Sequence, residues 1–191
     1  MPQETPPPSA RRTELLEAAY RYALTHGLTD LSLRPLAEAI GSSPRVLLFL
    51  FGSKDGLVRA LLARARTDEL ALLDRVGQPA PAGLVPAVEQ VWTWLAAKEH
   101  RPLLRLWAEA YARSLVQPDG PWAGFARTTV EDWLGVLAAC QSPSERAARN
   151  AAACRTLALA VLRGALLDLL ATNDEQRLTE AVTHQLALLR G

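Results

Sequence analysis

A chain of 191 residues can bury a sizeable core, and its composition, 49% apolar but only 6% aromatic and rich in Ala and Leu, favours helices. The net charge of +1 excludes a global attraction to nucleic acid, and no uninterrupted apolar run of about eighteen residues is available to span a membrane. The charge is unevenly placed, however: residues 1–66 carry nine Lys/Arg against six Asp/Glu, a net +3, while residues 67–191 carry twelve against fourteen, a net −2.

The opening MPQETPPPSA lacks a charged start followed by an apolar stretch, so residues 1–10 read as a disordered Pro-rich tail and not as a secretory signal. From Arg11, the residues Leu15, Leu16, Ala19, Tyr22 and Ala23 fall at helical spacing, and Gly27 ends the helix. Ser32 caps a short second helix that turns Leu33, Leu36, Ala37 and Ile40 inward; Pro35 is tolerated in its first turn. Gly41 breaks that helix, and Ser42 or Ser43 caps a third, with Pro44 near its first position. Phe51-Gly52-Ser53 makes the next turn, and Ser53 caps a long helix from about Lys54 to Val76.

Gly77–Gly83, with two prolines, is the clearest linker. Helices follow at about 84–99, 101–116 and 121–140, separated by His100-Arg101-Pro102 and by Gln117-Pro118-Asp119-Gly120-Pro121. Ser142-Pro143-Ser144 opens a long helix to about Thr172, and Asn173-Asp174 caps a last one to Arg190. No strand pattern survives. The expected fold is all-α, with about nine helices.

Residues 32–51 have the proportions of a helix-turn-helix: a helix of about eight residues, a Gly-containing turn, then a second short helix. The first helix would brace across a duplex while the second offers its N-terminal turn to the major groove. Leu36, Ile40, Leu47 and Phe51 supply the apolar contact between helices, leaving Ser43, Pro44, Arg45 and Val46 where base edges can be reached. An arginine there can bond guanine O6 and N7 together.

The run RRTELLEAAYRYALTHGLTDLSLRPLAEAIGSSPRVLLFLFGSKDGLVRALL, residues 11–62, resembles the DNA-binding domain of TetR-family repressors. The features that carry the resemblance are the AA of the first helix, HG after it, a Ser before the second helix, LA-x-A-x-G-x-S into the turn, and FGSKD-x-L leading into the connecting helix. The RGALLDLLAT-like segment is similar to that family's dimerisation region. Beyond the tail at 1–10, the resemblance implies a three-helix DNA-binding domain at 11–57 and a helical effector-binding and dimerisation domain at 58–191. It also implies a homodimeric transcriptional regulator, a repressor released from its operator by a small effector; the expected location, read from the lack of a span or signal, is the cytoplasm.

In that light Arg34 and Lys54 are expected at the DNA backbone, with Arg11 and Arg12 as further phosphate contacts. Leu48 stands where the family has a Tyr that meets phosphate, and Arg45 where it has a small residue. Leu48, Phe49 and Leu50 make the recognition helix unusually apolar, so either Arg45 and neighbouring phosphate contacts compensate, or binding is weaker and reads thymine methyls and groove shape.

All five tryptophans lie beyond residue 91. Trp92, Trp107, Tyr111, Trp122, Phe125 and Trp133 are candidates to line a site for an apolar or aromatic effector, with His100 and Glu109 as polar groups; the alternative is that they simply fill a core. For the dimer interface the candidates are Leu157, Val161, Gly164, Ala165 and Asp168 on the penultimate helix, and Leu178, Val182, Gln185 and Leu189 on the last. Cys140 and Cys154 lack metal or redox spacing and read as free thiols. The pattern Glu180-Ala-Val-Thr-His184 is a single pair at the wrong spacing for a helical metal site, and three scattered histidines build no nucleophile–base pair. Neither catalytic residues nor a cofactor or metal are therefore expected. The competing reading is a helical ligand-binding or interaction protein with weakened DNA affinity.

Overall fold

The computed structural model describes residues 8–76 and 83–190. Most of the expected tail and of the linker Gly77–Gly83 lies outside the described residues. Among those described, the chain is all α-helical, with ten α-helices and one 3-10 turn, Lys98–His100. In order, the helices are α1 (Pro8–His26), α2 (Leu33–Ala39), α3 (Pro44–Phe51), α4 (Lys54–Val76), α5 (Leu84–Ala96), α6 (Arg101–Val116), α7 (Phe125–Cys140), α8 (Pro143–Ala147), α9 (Ala151–Thr172) and α10 (Glu175–Arg190).

Four boundaries differ from those the sequence predicts, the simplest being that the helix expected at about 84–99 ends at Ala96, before the 3-10 turn. The first helix begins at Pro8, inside the expected tail, since a proline suits a helix start, where no N–H bond is lost. The seventh begins at Phe125, after turns that bond Gly120 N to Gln117 O and Phe125 N to Trp122 O. The single long helix expected from Ser142 is two, because Ala148 is extended (φ −65°, ψ 139°) and α9 restarts after Asn150. At its far end α9 stops on Asn173 in the left-handed conformation (φ 57°), a position asparagine tolerates.

The helices form two compact units. One takes the chain up to Asp68 together with Arg105–Phe125; the other comprises Glu69–Leu104 and the chain from Ala126 onward. These units cut across the sequence segments 11–57 and 58–191, because part of α6 and the turn after it pack with the N-terminal helices. The core of the first unit joins Leu15, Leu36, Leu47, Leu57 and Leu61 to Leu106, Ala110 and Trp122. In the second, α5, α9 and α10 pack on one another and bury Val88, Val91, Leu162, Leu169, Leu178 and Val182.

One carboxylate organises the second unit locally. Glu145 closes a capping box with Ser142 at the start of α8, accepting the Ser142 N–H at 2.7 Å. It also accepts the Leu84 N–H at the start of α5 (3.1 and 3.2 Å to its two oxygens). Burial by itself would raise its pKa, but the N–H groups of Ser142 and Leu84 and the Ser142 side chain outweigh it and lower the value. The charged form thus favours the fold fully above the unfolded value of about 4.3, and that contribution is lost as pH falls through the lower folded value. Glu145→Ala is expected to cost about 1–2 kcal/mol at neutral pH. The gap in melting temperature from wild type should narrow as the pH drops below about 4; a gap independent of pH would assign the loss to packing.

Candidate nucleic-acid interface

The geometry of α2 and α3 follows from short-range signals. Ser32 occupies the N-cap of α2 with extended backbone but makes no side-chain cap bond. The turn closes through Ser42 N–H to Ala37 O (2.8 Å) and passes Gly41 at φ 64°, where a side chain would be strained. Of the two serines expected as caps, Ser43 is the one used: its Oγ accepts the Val46 N–H at 3.3 Å, and Pro44 follows at the first helical position. Ser53 repeats the device for α4, accepting the Gly56 N–H at 2.9 Å.

The eight residues of α3 divide sharply by face. Leu47 and Phe51 are buried and anchor the helix, as the sequence predicts. Arg45, Val46, Leu48 and Phe49 are exposed; Phe49 is 81% accessible, Leu48 41% and Val46 38%. Ser43 and Pro44 are half-buried at the helix entry. Arg34 on α2 and Lys54 at the start of α4 are exposed. Arg11 and Arg12 are already engaged, Arg11 in an ion pair with Glu14 (2.8 Å) and Arg12 with its guanidinium 5.0 Å from the centre of the Phe51 ring.

A polar network, unforeseen in the sequence, braces α1 against α4. Arg64 bonds Glu17 (Nε to Oε1, 2.6 Å) and Asp68, and stacks 4.8 Å from the Tyr20 ring centre. The Tyr20 hydroxyl donates to Asp68 at 2.8 Å. Burial first, and that bond second, push the Tyr20 pKa above its ordinary value, so the phenol keeps its proton and remains a donor.

Glu109, expected as a polar group in an effector site, does something else. Its Oε2 accepts the Leu28 N–H at 2.9 Å and its Oε1 accepts the Thr29 hydroxyl. It thereby holds the turn between α1 and α2. Gly27 makes room for it: its φ is 77°, and a Cβ there would come within 2.9 Å of the Glu109 carboxylate. His100 stacks on Trp94 with ring centres 3.9 Å apart.

The six aromatic candidates for an effector site are split between the two units. Trp122 is buried in the first unit's core, with Phe125 packed against it, and Trp107 and Tyr111 form a half-buried tilted pair 5.0 Å apart. In the second unit, Trp92 and Trp133 are buried and each indole N–H is engaged, with Thr179 (3.0 Å) and with the buried Glu69 (2.7 Å). Four of the six therefore serve as core within their own units.

The candidate dimer residues also separate. Leu157, Gly164 and Asp168 are exposed on α9, with Val161 and Ala165 half-buried beside them. On α10 Gln185 is half-buried, and the Leu189 side chain lies outside the described residues. Leu178 and Val182, expected at the interface, are buried within the chain's own core because α10 turns that stripe toward α5 and α9. On these two helices, exposed apolar side chains outside the expected set are Leu167 on α9, 50% accessible, and Leu188 on α10, 64% accessible. Leu167 follows Gly164 by three residues, and extending the Leu157–Gly164 stripe would have found it.

Among the described residues, no helix is long and apolar enough to cross a membrane, and no three His, Cys, Asp or Glu side chains group as metal ligands.

Residues 15–61 match the family described as bacterial regulatory proteins, tetR family. No curated protein matches the chain. Among solved structures, the multidrug binding protein EbrR in complex with imidazole is similar over 96% of this chain and 93% of its own, with 26% identity and a TM-score of 0.63. A transcriptional regulator from Rhodococcus sp. Rha1 superimposes with a TM-score of 0.76 at 21% identity, covering 93% of this chain and 94% of its own. A TetR transcription regulator from Haloarcula marismortui gives 0.70 at 19% identity, covering 92% and 94%. EbrR has also been solved with proflavin.

Proposed function

We propose that the chain is a regulator of the tetR family, whose model matches residues 15–61, and that it acts as a homodimeric repressor that leaves its operator when a small aromatic molecule binds. The observation that carries the DNA-binding part is α3. A Ser-capped helix anchored by Leu47 and Phe51 turns Arg45, Val46, Leu48 and Phe49 outward, and Arg34 and Lys54 on the adjoining helices supply positive charge. Arg45 is assigned to base contact and Lys54 and Arg34 to phosphate, with Ser43 and Pro44 setting the helix entry.

The effector part rests on the likeness to EbrR, which has been solved with imidazole and with proflavin. Trp107 and Tyr111, half-buried and tilted against each other, are the aromatic pair we assign to such a molecule. An effector with equal affinity for the DNA-bound and free forms would shift nothing, so it must prefer the free form. A mobility-shift titration of the purified protein against the DNA flanking its own gene, with and without proflavin, tests both parts. Selective retention of that DNA supports the regulator; because proflavin also intercalates into duplex DNA, its loss with the dye supports effector release only where an unrelated DNA-binding protein keeps its own duplex at the same dye concentration. Binding no tighter than to scrambled DNA would leave a helical ligand-binding protein in its place.

The dimer is assigned to α9 and α10 through Leu157, Gly164, Leu167 and Leu188. A Cβ on Gly164 would meet nothing within 4 Å, so the monomer tolerates a large side chain there. Gly164→Phe is therefore expected to leave helix content intact while shifting sedimentation at micromolar concentration from dimer to monomer. A wild-type chain that sediments as a monomer would remove the dimer outright.

A further inference from the structure

We propose that the operator is read largely through thymine methyl groups, with Phe49 as the reading side chain and Val46 and Leu48 beside it. This rests on the DNA-binding reading above and specifies what that interface recognises.

At 100° per residue, the buried Leu47 and Phe51 define the inner face of α3, and Phe49 stands opposite them. That is why it is the most exposed large apolar side chain among the described residues, at 81%. Val46 and Leu48 flank it at 38% and 41%. Arg45 lies one turn earlier on the same outward line and is the sole side chain of the exposed set with hydrogen-bond donors. Three water-exposed apolar side chains on one two-turn helix are unfavourable until something apolar covers them.

Arg45 on the helix itself, with the exposed Arg34 on α2 and Lys54 at the start of α4, favours a covering surface that is also acidic. A DNA major groove meets both needs at once: phosphates line it, and the C5-methyl of thymine is the one apolar group its base pairs display there. Arg45 and Phe49 are four residues apart, about 6 Å along the helix axis. With base pairs about 3.4 Å apart, a helix lying along the groove would put the guanine read by Arg45 about two base pairs from the thymine read by Phe49.

The test starts from the duplex that the full-length protein selects out of a random pool. The same duplex is then made with deoxyuridine for thymidine, which keeps base pairing and removes only the methyl. Wild type should bind the uracil duplex more weakly, by about fourfold for each methyl covered and about fifteenfold for one in each of two half-sites. Phe49→Ala should lose affinity for the thymine duplex and become indifferent to the exchange. Phe49→Leu, which keeps an apolar tip, should retain part of the discrimination. Phe49 is exposed, so both variants should match wild type in thermal melting.

Equal affinity of wild type for thymine and uracil duplexes would overturn the proposal while leaving the DNA-binding reading in place. So would a Phe49→Ala variant that discriminates as well as wild type. If no duplex is enriched over the starting pool, the DNA-binding reading falls and this one with it.

Discussion

Arg45→Ala should bind operator DNA far more weakly than wild type while binding scrambled DNA almost as well. The side chain is exposed in the first turn of a helix whose entry is fixed by the Ser43 cap and Pro44. From there a guanidinium can span O6 and N7 of one guanine, an interaction that discriminates by roughly 1–3 kcal/mol. Two half-sites would double that. Lys54 is the control: also exposed, it starts α4 and is assigned to phosphate. Lys54→Ala should weaken operator and scrambled DNA by the same factor and lower the salt slope by about one for each phosphate left without its lysine. Affinities of both variants on both sequences across a salt series separate the roles. An equal loss by Arg45→Ala on both sequences would make Arg45 a phosphate ligand.

The second large effect concerns Leu47 and Leu48, neighbours in sequence with opposite surroundings. Leu47 is 1% accessible and packs in the core with Leu36, Leu57 and Leu61. Leu47→Ala should therefore cost about 2–5 kcal/mol, the removed methyl groups and the cavity they leave both counting. For a chain of this length that is a fall in melting temperature of about 4–20 °C. Leu48→Ala removes the same atoms from a side chain that faces water, and should change stability by less than about 0.5 kcal/mol. Its effect should appear in DNA affinity alone. Thermal melts of the two variants side by side check this, and similar losses from both would mean that α3 is rotated about its own axis, with both leucines turned partly inward.

The parts of the molecule that the sequence made legible are those written in local chemistry. Ser43-Pro44, Gly41 and Ser53 each act within four residues of themselves, so the limits of α3 and the start of α4 could be read directly. The break between α8 and α9 could not. Ala147, Ala148 and Arg149 are good helix formers, and the chain departs from the helix at Ala148 without any proline or glycine to announce it. Leu178 and Val182 misled for a different reason. A helix that is apolar on more than one side carries a period but no label for which side meets its own core. The aromatic residues pose the same difficulty at longer range, because the grouping of Trp107 with the N-terminal helices and of Trp92 with α9 and α10 is a property of tertiary packing.

The hold of Glu109 on the first interhelical turn constrains how this sequence can drift. Its carboxylate reaches eighty-one residues back in the chain to a main-chain N–H and eighty back to a hydroxyl, and the space it fills exists because position 27 carries no side chain. Leu28 contributes only its backbone there, so its identity is free to vary as long as it stays apolar and buried. Positions 27, 29 and 109, by contrast, are tied to one another. A side chain gained at 27 crowds the carboxylate and strains the backbone at φ 77° besides, while a shorter acid at 109 falls short of the turn. Divergent copies of this chain should therefore hold glycine at 27 on two separate grounds, and where 109 loses its acid the hydroxyl at 29 should be free to go with it.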